Sequence, residues 1–182
     1  NAGCNHFALL QDQSDAMLQN QINLNLLAPM LLIRALLPLL QKEQGARILN
    51  MGSTFGSIGY PGYSAYCASK FGLRGFTEAL RRELSDSDIR VLYFAPRATA
   101  TKLNSENVIA LNKELGNAMD LPDIVAAQVE KMFISGGPHQ VFWGWPEKLF
   151  ARINQCIPML VDNALQKQLP AIKKYATLSK GA

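Results

Sequence analysis

A short, almost continuous apolar segment near the middle of the chain constrains the fold more than any other feature. Residues 89–95 are apolar at nearly every position, and Pro96 ends the run. A strand with one solvated face would alternate apolar and polar residues, so this run indicates a strand that is buried on both faces. Strands of that kind belong to parallel sheets that are covered by helices on both sides.

The segments on either side of this run alternate between helix and strand patterns. Residues 14–41 and 63–84 carry apolar residues at helical spacing, and the run 47–51 between them is a strand ending in Gly52-Ser53. Asp12 or Ser14 caps the first helix, and Pro29 bends it. The strand–helix–strand–helix–strand order predicts an α/β domain built on a parallel sheet. The remaining predicted elements are helices over 104–115 and 122–133, a strand over 140–143 and helices over 147–156 and 159–168.

Single residues set the expected ends of the later helices. Asp120 is the predicted cap of the helix over 122–133, with Pro122 in its first turn. Pro158 and Pro170 are expected to punctuate the two helices of the tail.

The charge distribution argues against a nucleic-acid partner. Residues 1–144 hold 12 basic and 12 acidic residues, so the net charge of +4 lies in residues 145–182. A nucleic-acid-binding face would place a basic patch across the main domain. The basic tail leaves a weak contact with an anionic membrane surface open as an alternative.

Composition also limits metal chemistry and location. Three cysteines without a CxxC pair and only two histidines disfavour a disulfide framework or a metal site. We expect a reducing, cytoplasmic location. Residues 24–40 are the most apolar stretch, but Asn25, Pro29, Arg34 and Pro38 argue against a membrane span, and no signal peptide is recognisable.

The spacing of Tyr66 and Lys70 carries most of the functional information. Residues four apart on a helix share one face, so an ammonium group lies about one turn from a phenol. A neighbouring positive charge favours the phenolate and would lower the pKa of Tyr66. The pair is therefore a candidate proton donor and acceptor. An ordinary solvated pair is the alternative.

Two further polar residues are expected near this pair. Ser53 ends the strand over 47–51, and ligands of parallel sheets gather at the carboxyl ends of strands. Its hydroxyl could orient a substrate oxygen, or it could merely cap the strand end. Asn25 lies in the first helix and could bind a backbone group or an ordered water, or act only as a structural polar residue.

These residues, in this order and spacing, resemble the signature of classical short-chain dehydrogenases/reductases. Ser53 and Tyr66-Cys-Ala-Ser-Lys70 resemble the family's Ser-x12-Tyr-x3-Lys motif, and Asn25 resembles its fourth catalytic residue. Asn1-Ala2-Gly3 resembles the end of the Asn-Asn-Ala-Gly motif. The loop with Pro96, Arg97, Thr99 and Thr101 resembles the segment that touches the nicotinamide and the diphosphate.

The resemblance implies a Rossmann-like, doubly wound parallel sheet and an NAD- or NADP-dependent interconversion of a carbonyl and an alcohol. It implies that Tyr66 transfers the proton and that Lys70 holds the nicotinamide ribose. Ser53 would orient the substrate oxygen, and Asn25 would anchor a water. The implied cofactor contacts are Asn1, Ala2, Gly3, Tyr66, Lys70, Pro96, Arg97, Thr99 and Thr101.

The sequence departs from the family at two points. Arg97 stands where the family has Gly, so it is expected either to clamp a phosphate or carboxylate or, more simply, to be a surface or interface cation. The Gly-rich cofactor turn and the first strands are not in the sequence, so we expect residues 1–182 to be the C-terminal part of a longer protein. Residues 1–144 would then be the catalytic part and 145–182 a helical extension. A non-catalytic protein of the same fold, or a fragment without a cofactor site, is the alternative function.

The tail and the first long helix predict further contacts. Apolar residues recur at helical spacing in the tail, which favours packing on the body or a second subunit over a lid on a lipophilic substrate or a membrane contact. The broad apolar surface of residues 24–40 and the family's habit of pairing these helices predict a homo-oligomer. A bulky, lipophilic carbonyl compound is the expected substrate.

Overall fold

A computed structural model describes residues 2–178. Its sheet has three parallel strands in the order β1 (Arg47–Met51), β2 (Arg90–Ala95) and β3 (Gln140–Phe142). β1 pairs with β2 from Arg47↔Arg90 onward, and β3 joins the carboxyl half of β2. The helices are α1 (Asp15–Ile22), α2 (Ala28–Leu40), α3 (Ser64–Glu83), α4 (Glu106–Glu114), α5 (Pro122–Ser135), α6 (Glu147–Cys156) and α7 (Pro158–Leu178).

The central strand is buried on both faces, as the apolar run predicts. Val91 packs with Ile33 of α2 and Leu80 of α3 on one face of the sheet. The next residue, Leu92, packs with residues of α5 on the other face. Because neighbouring strand residues point to opposite faces, the apolar run supplies both layers, and the doubly wound α/β arrangement is confirmed.

The first long helix is irregular in its middle. Ser14 caps α1 by accepting a hydrogen bond from the Met17 amide, so Ser14 rather than Asp12 is the cap. A π-helical turn, Asn23–Leu27, joins α1 to α2, and the Ala28 amide donates to the Asn23 carbonyl. Pro29 has no N–H for the carbonyl of Asn25, so the regular bonding pattern is interrupted here.

The long helix is also apolar on its outside. The stretch Asp15–Leu40 has the length and the apolar composition needed to cross a membrane, and only 11% of its most apolar 18 residues are buried. One such helix is by itself weak evidence for a membrane span. Its most exposed leucines are Leu32 and Leu39, each 59% exposed.

Two expected helix boundaries are wrong. Leu121, not Asp120, occupies the cap position of α5, because the Asp120 carboxylate is engaged by Arg97. α7 continues through Pro170 to Leu178. Residues beyond the proline, Ile172 and Ala176, are fully buried in a core cluster, and this packing outweighs the cost of a proline inside the helix.

The tail packs on the body of the domain. Ile172 and Ala176 of α7 share a core cluster with Val108 and Leu111 of α4. At the surface, Lys174 Nζ donates to the Glu114 carboxylate over 2.9 Å. The predicted apolar stripe of the tail packs on the body only in part: Ile153 contacts a core cluster, whereas Leu149, Ile157 and Leu160 are 40%, 50% and 52% exposed.

Candidate active site

Ser53 is placed by a sharp turn at the end of β1. The Gly52 amide donates to the carbonyl of Phe94 over 2.7 Å, which continues the sheet for one more residue. Ser53 then begins the 3-10 turn Thr54–Gly56, and its Oγ accepts a hydrogen bond from the Phe55 amide over 3.1 Å. The hydroxyl therefore lies at the carboxyl edge of the sheet, as expected. It also caps the turn.

Tyr66 and Lys70 lie on the first two turns of α3, facing Ser53. The Ser53 hydroxyl lies close enough to the Tyr66 phenol to lower the pKa of that phenol, against the larger effect of burial. Lys70 Nζ lies 5.7 Å from the centre of the Tyr66 ring and donates to the carbonyl oxygen of Met51 over 3.0 Å. The helix and the end of β1 thus bring these three side chains together.

The electrostatics differ from the expectation for this pair. Burial raises the pKa of Tyr66 to about 12, and the nearby Ser53 hydroxyl opposes this rise. Burial lowers the pKa of Lys70 to about 8. The expectation that Lys70 lowers the pKa of Tyr66 is therefore not met, because the cost of burying the phenolate exceeds the favourable interaction with Ser53.

Asn25 is buried and holds two neighbouring segments. Its Nδ2 donates to the Cys4 carbonyl over 2.8 Å, and its Oδ1 accepts from the Cys4 amide over 2.9 Å. Nδ2 also donates to Oγ of Ser69, which is the residue before Lys70. The expectation that the amide binds a backbone group is confirmed. Both N–H groups of the side-chain amide are therefore engaged, and Oδ1 keeps one lone pair.

A cleft of about 1460 Å³ opens beside this cluster. Three aromatic rings form a wall next to Tyr66: the Phe55 ring stacks on Tyr60 with centroids 4.7 Å apart, and Tyr63 lies 5.8 Å from Tyr66. Val108 and Leu111 of α4, with Val161 and Leu165 of α7, also line the cleft. Tyr60 and Tyr63 are packing residues, as expected, and so is Cys67, which is buried beneath them.

Most residues with an expected role in cofactor binding line the same cleft. Ala2, Gly3, Pro96, Thr99 and Thr101 do so with Tyr66 and Lys70. Gly3 fits closely, because a Cβ there would lie 3.2 Å from Oδ1 of Asn25. Asn1 lies outside the described residues.

Arg97 also lines the cleft, but its charge is already paired. Its guanidinium makes a two-pronged interaction with Asp120, with Nε–Oδ2 and Nη2–Oδ1 distances of 2.9 and 2.7 Å. The side chain is 18% exposed. Arg97 is therefore a paired cation rather than a free one, and a phosphate would have to compete with Asp120.

Sequence reasoning missed three contributors to the site. Phe55 builds the aromatic wall, the Met51 carbonyl holds Lys70, and Ser69 links Asn25 to the helix of Tyr66. Ser69 lies inside the recognised Tyr-x3-Lys segment, so its position was the available signal. No pattern marked the other two. Among residues 2–178, no three His, Cys, Asp or Glu side chains group in a way that could hold a metal ion.

Comparisons with known proteins agree with this geometry. The family model for short chain dehydrogenase matches residues 1–111. The chain is 37% identical over 141 residues to a 3-oxoacyl-[acyl-carrier-protein] reductase of Bos taurus, covering 74% of this chain and 60% of that protein. It is 30% identical over 146 residues to a 3-ketodihydrosphingosine reductase of Dictyostelium discoideum, covering 77% of this chain and 44% of that protein.

Solved structures show the same fold. A 4-hydroxyisoleucine dehydrogenase complexed with NADH and succinate superposes with a TM-score of 0.67 at 25% identity, covering 80% of this chain and 66% of that chain. A short chain dehydrogenase from Burkholderia cenocepacia in complex with NADP gives a TM-score of 0.73 at 21% identity, covering 91% and 66%. The chain spans less than two thirds of these proteins. The family match, together with the Ser53, Tyr66 and Lys70 geometry, shows that the chain belongs to the short-chain dehydrogenase family.

Proposed function

We propose that the protein containing this chain is an NAD(P)-dependent oxidoreductase that interconverts a carbonyl group and an alcohol. The observation that carries the proposal is the meeting of Ser53, Tyr66 and Lys70 at the carboxyl end of β1, beside a large cleft. Relatives named as reductases and neighbours complexed with NADH or NADP support it.

The residues present fit a nicotinamide cofactor. Ala2 and Gly3 offer backbone without bulk at the edge of the cleft. Lys70 Nζ uses one donor on the Met51 carbonyl and keeps two for other acceptors, such as ribose hydroxyls. When bound, the nicotinamide supplies or accepts the hydride at the substrate carbon.

Tyr66 is the residue we assign to proton transfer. Its raised pKa means that the phenol is protonated at neutral pH, as is needed to donate a proton to a carbonyl oxygen being reduced. Ser53 lies beside the phenol and can direct its single O–H to the same carbonyl oxygen. Lys70, whose Nζ lies 5.7 Å from the centre of the Tyr66 ring, would hold the nicotinamide ribose, and Asn25 would anchor a water that connects Lys70 to solvent.

The walls of the cleft support an apolar carbonyl substrate. The lining includes aromatic and aliphatic side chains from Phe55, Tyr60, Val108, Leu111 and Leu165, beside polar ones such as Asn112 and Gln168. The relatives named for 3-oxoacyl and 3-keto substrates support a ketone on a long chain.

Nicotinamide fluorescence tests the cofactor step. NADH and NADPH are titrated into the complete protein and into a Lys70→Met variant, and NAD(P)H consumption is then followed with 3-oxoacyl thioesters. The proposal predicts saturable binding, weakened about tenfold or more in the variant, and turnover by the unmodified protein. Binding without turnover of any carbonyl compound would favour the non-catalytic alternative.

A further inference from the structure

Arg97 connects three segments at the mouth of the cleft. The residue follows β2, and its guanidinium binds both carboxylate oxygens of Asp120. Nη1 donates to the main-chain oxygen of Trp145 over 3.0 Å and lies 3.8 Å from Oε2 of Glu147. Asp120 precedes α5, whereas Trp145 and Glu147 lie at the start of α6. One side chain therefore joins the ends of β2, the α4–α5 connection and the tail.

Asp120, the partner of Arg97, is also hydrogen-bonded to the loop that lines the cleft. Thr99 and Asp120 form an isolated parallel bridge, in which the Ala100 amide donates to the Asp120 carbonyl and the Asp120 amide donates to the Ala98 carbonyl, each over 2.9 Å. The two ends of the segment 98–120 are therefore hydrogen-bonded to each other at Asp120, the residue that binds Arg97. Thr99 and Thr101 from this loop face the same cleft as Tyr66.

The surroundings of Arg97 are shaped to hold it. Gly144 has a φ of 112°, and a Cβ there would lie 2.6 Å from Cδ of Arg97, so the aliphatic stem needs a glycine beside it. The indole Nε1 of Trp143 donates to Oδ2 of Asp120 over 3.1 Å. The Asp120 side chain is only 11% exposed. A long cation that merely extends into solvent would need none of these contacts.

We propose that Arg97 is a positioning residue and not a ligand for a cofactor phosphate. It binds Asp120, which is paired with the cleft loop (residues 98–104), and it binds the main chain of Trp145 at the start of α6, so it fastens the loop to that helix. Its two-pronged interaction with Asp120 uses the edge formed by Nε and Nη2, which a phosphate would otherwise occupy. The predicted effect of Arg97 on turnover rests on the proposed function, whereas its predicted effect on how firmly the loop is held does not.

Asp120→Asn separates the two roles. If Arg97 bound a phosphate, removing the competing carboxylate would strengthen nucleotide binding, whereas Arg97→Gln would weaken it. If Arg97 positions the loop, both variants loosen the loop to a similar extent. Arg97→Lys keeps the charge but loses the two-pronged geometry, so it should loosen the loop to an intermediate extent. Glu78→Gln is the matched control, since it breaks the exposed ion pair with Arg82 on α3.

Two readouts in the complete protein follow the loop without requiring activity. Lys102 is exposed within the loop, so the rate of trypsin cleavage after it reports how firmly the loop is held. The indole N–H resonance of Trp143 reports its bond to Asp120. We expect cleavage to rise about tenfold in both Arg97→Gln and Asp120→Asn, at a denaturant concentration too low to unfold either protein. The Trp143 resonance should shift in both variants, and Glu78→Gln should match the unmodified protein.

The kinetic readout then tests positioning during turnover. KM for the carbonyl substrate should rise about tenfold in both variants, while kcat stays within about threefold. Unchanged cleavage after Lys102, or tighter nucleotide binding by Asp120→Asn, would overturn the proposal. Loop release in a protein that turns over no carbonyl compound would support the positioning role and refute the proposed function instead.

Discussion

Nδ2 of Asn25 donates to Oγ of Ser69 over 3.1 Å, across 44 residues of sequence. The same Oγ donates to the carbonyl of Tyr66 over 2.7 Å. The π-helical turn that contains Asn25 is therefore tied to the helix that carries Tyr66 and Lys70. The other hydrogen bonds of Asn25 tie both to Cys4 at the edge of the cleft.

Asn25→Ala should destabilise the protein. The change leaves the amide and the carbonyl of Cys4 without their partners, and unsatisfied buried groups of this kind cost about 2–3 kcal/mol in the free energy of unfolding. Urea unfolding measures the loss. Gln19→Ala, on the same long helix but exposed, is the control and should stay within about 0.5 kcal/mol. Equal midpoints for the two variants would show that the Asn25 network contributes nothing.

Gly52→Ala should also destabilise the protein, because a Cβ at Gly52 would overlap the ring of Tyr93, which is buried under the turn that carries Ser53. Overpacking of this kind costs about 1–3 kcal/mol. Gly75→Ala in α3 meets nothing within 4 Å and should stabilise the protein by about 0.5–1 kcal/mol. Thermal or urea unfolding of both variants checks the opposite signs. A stabilising Gly52→Ala would refute the close approach to Tyr93.

The stability of the protein should depend on pH through Lys70. Its pKa falls from 10.5 to about 8 on burial, so between these values the unfolded chain binds more protons than the folded one. Stability contributed by this group therefore rises with pH from about 8 towards 10.5. The raised pKa values of the Cys4 and Cys67 thiols act in the opposite direction near pH 9, and that of Tyr66 does so above about pH 10. In urea unfolding between pH 8 and 9.5, the stability of the unmodified protein should therefore rise relative to that of Lys70→Met. Parallel pH profiles of the two proteins would contradict the burial of a titrating Lys70.

We propose that the outer face of α2 joins two copies of the protein. Leu36 and Leu39 are 41% and 59% exposed there, and Phe71 of α3 adds a further exposed ring. Leu36→Glu combined with Leu39→Glu should convert the oligomer to a monomer in sedimentation velocity measurements, because buried apolar area stabilises association. Leu160→Glu on α7, where the leucine is 52% exposed, is the control and should not change the mass. A monomeric unmodified protein would refute this proposal.

The sequence predicted those parts of the molecule that local patterns determine. The strand Arg47–Met51 and the helix Glu147–Cys156 agree residue for residue with the expectation, because apolar periodicity and punctuating residues define both. Ser53, Tyr66 and Lys70 could be placed together because a helix turn and the end of a parallel strand have fixed geometry.

The features that were missed depend on contacts distant in sequence. α7 passes Pro170 because Ile172 and Ala176 are buried against α4. Asp120 leaves its expected capping position because Arg97 binds it from 23 residues away. The pKa of Tyr66 rises because aromatic side chains from the 54–63 segment bury it, which the four-residue spacing to Lys70 does not reveal.

Tyr66→Phe tests the central claim most directly. The variant keeps the aromatic ring and its packing against Tyr63, and it removes only the hydroxyl. Steady-state consumption of NAD(P)H by the complete protein with a carbonyl substrate should fall by a factor of about 100 or more, as expected for the loss of a positioned proton donor, while nucleotide affinity stays unchanged. Turnover by Tyr66→Phe within twofold of the unmodified protein would contradict the assignment of Tyr66 as the proton donor.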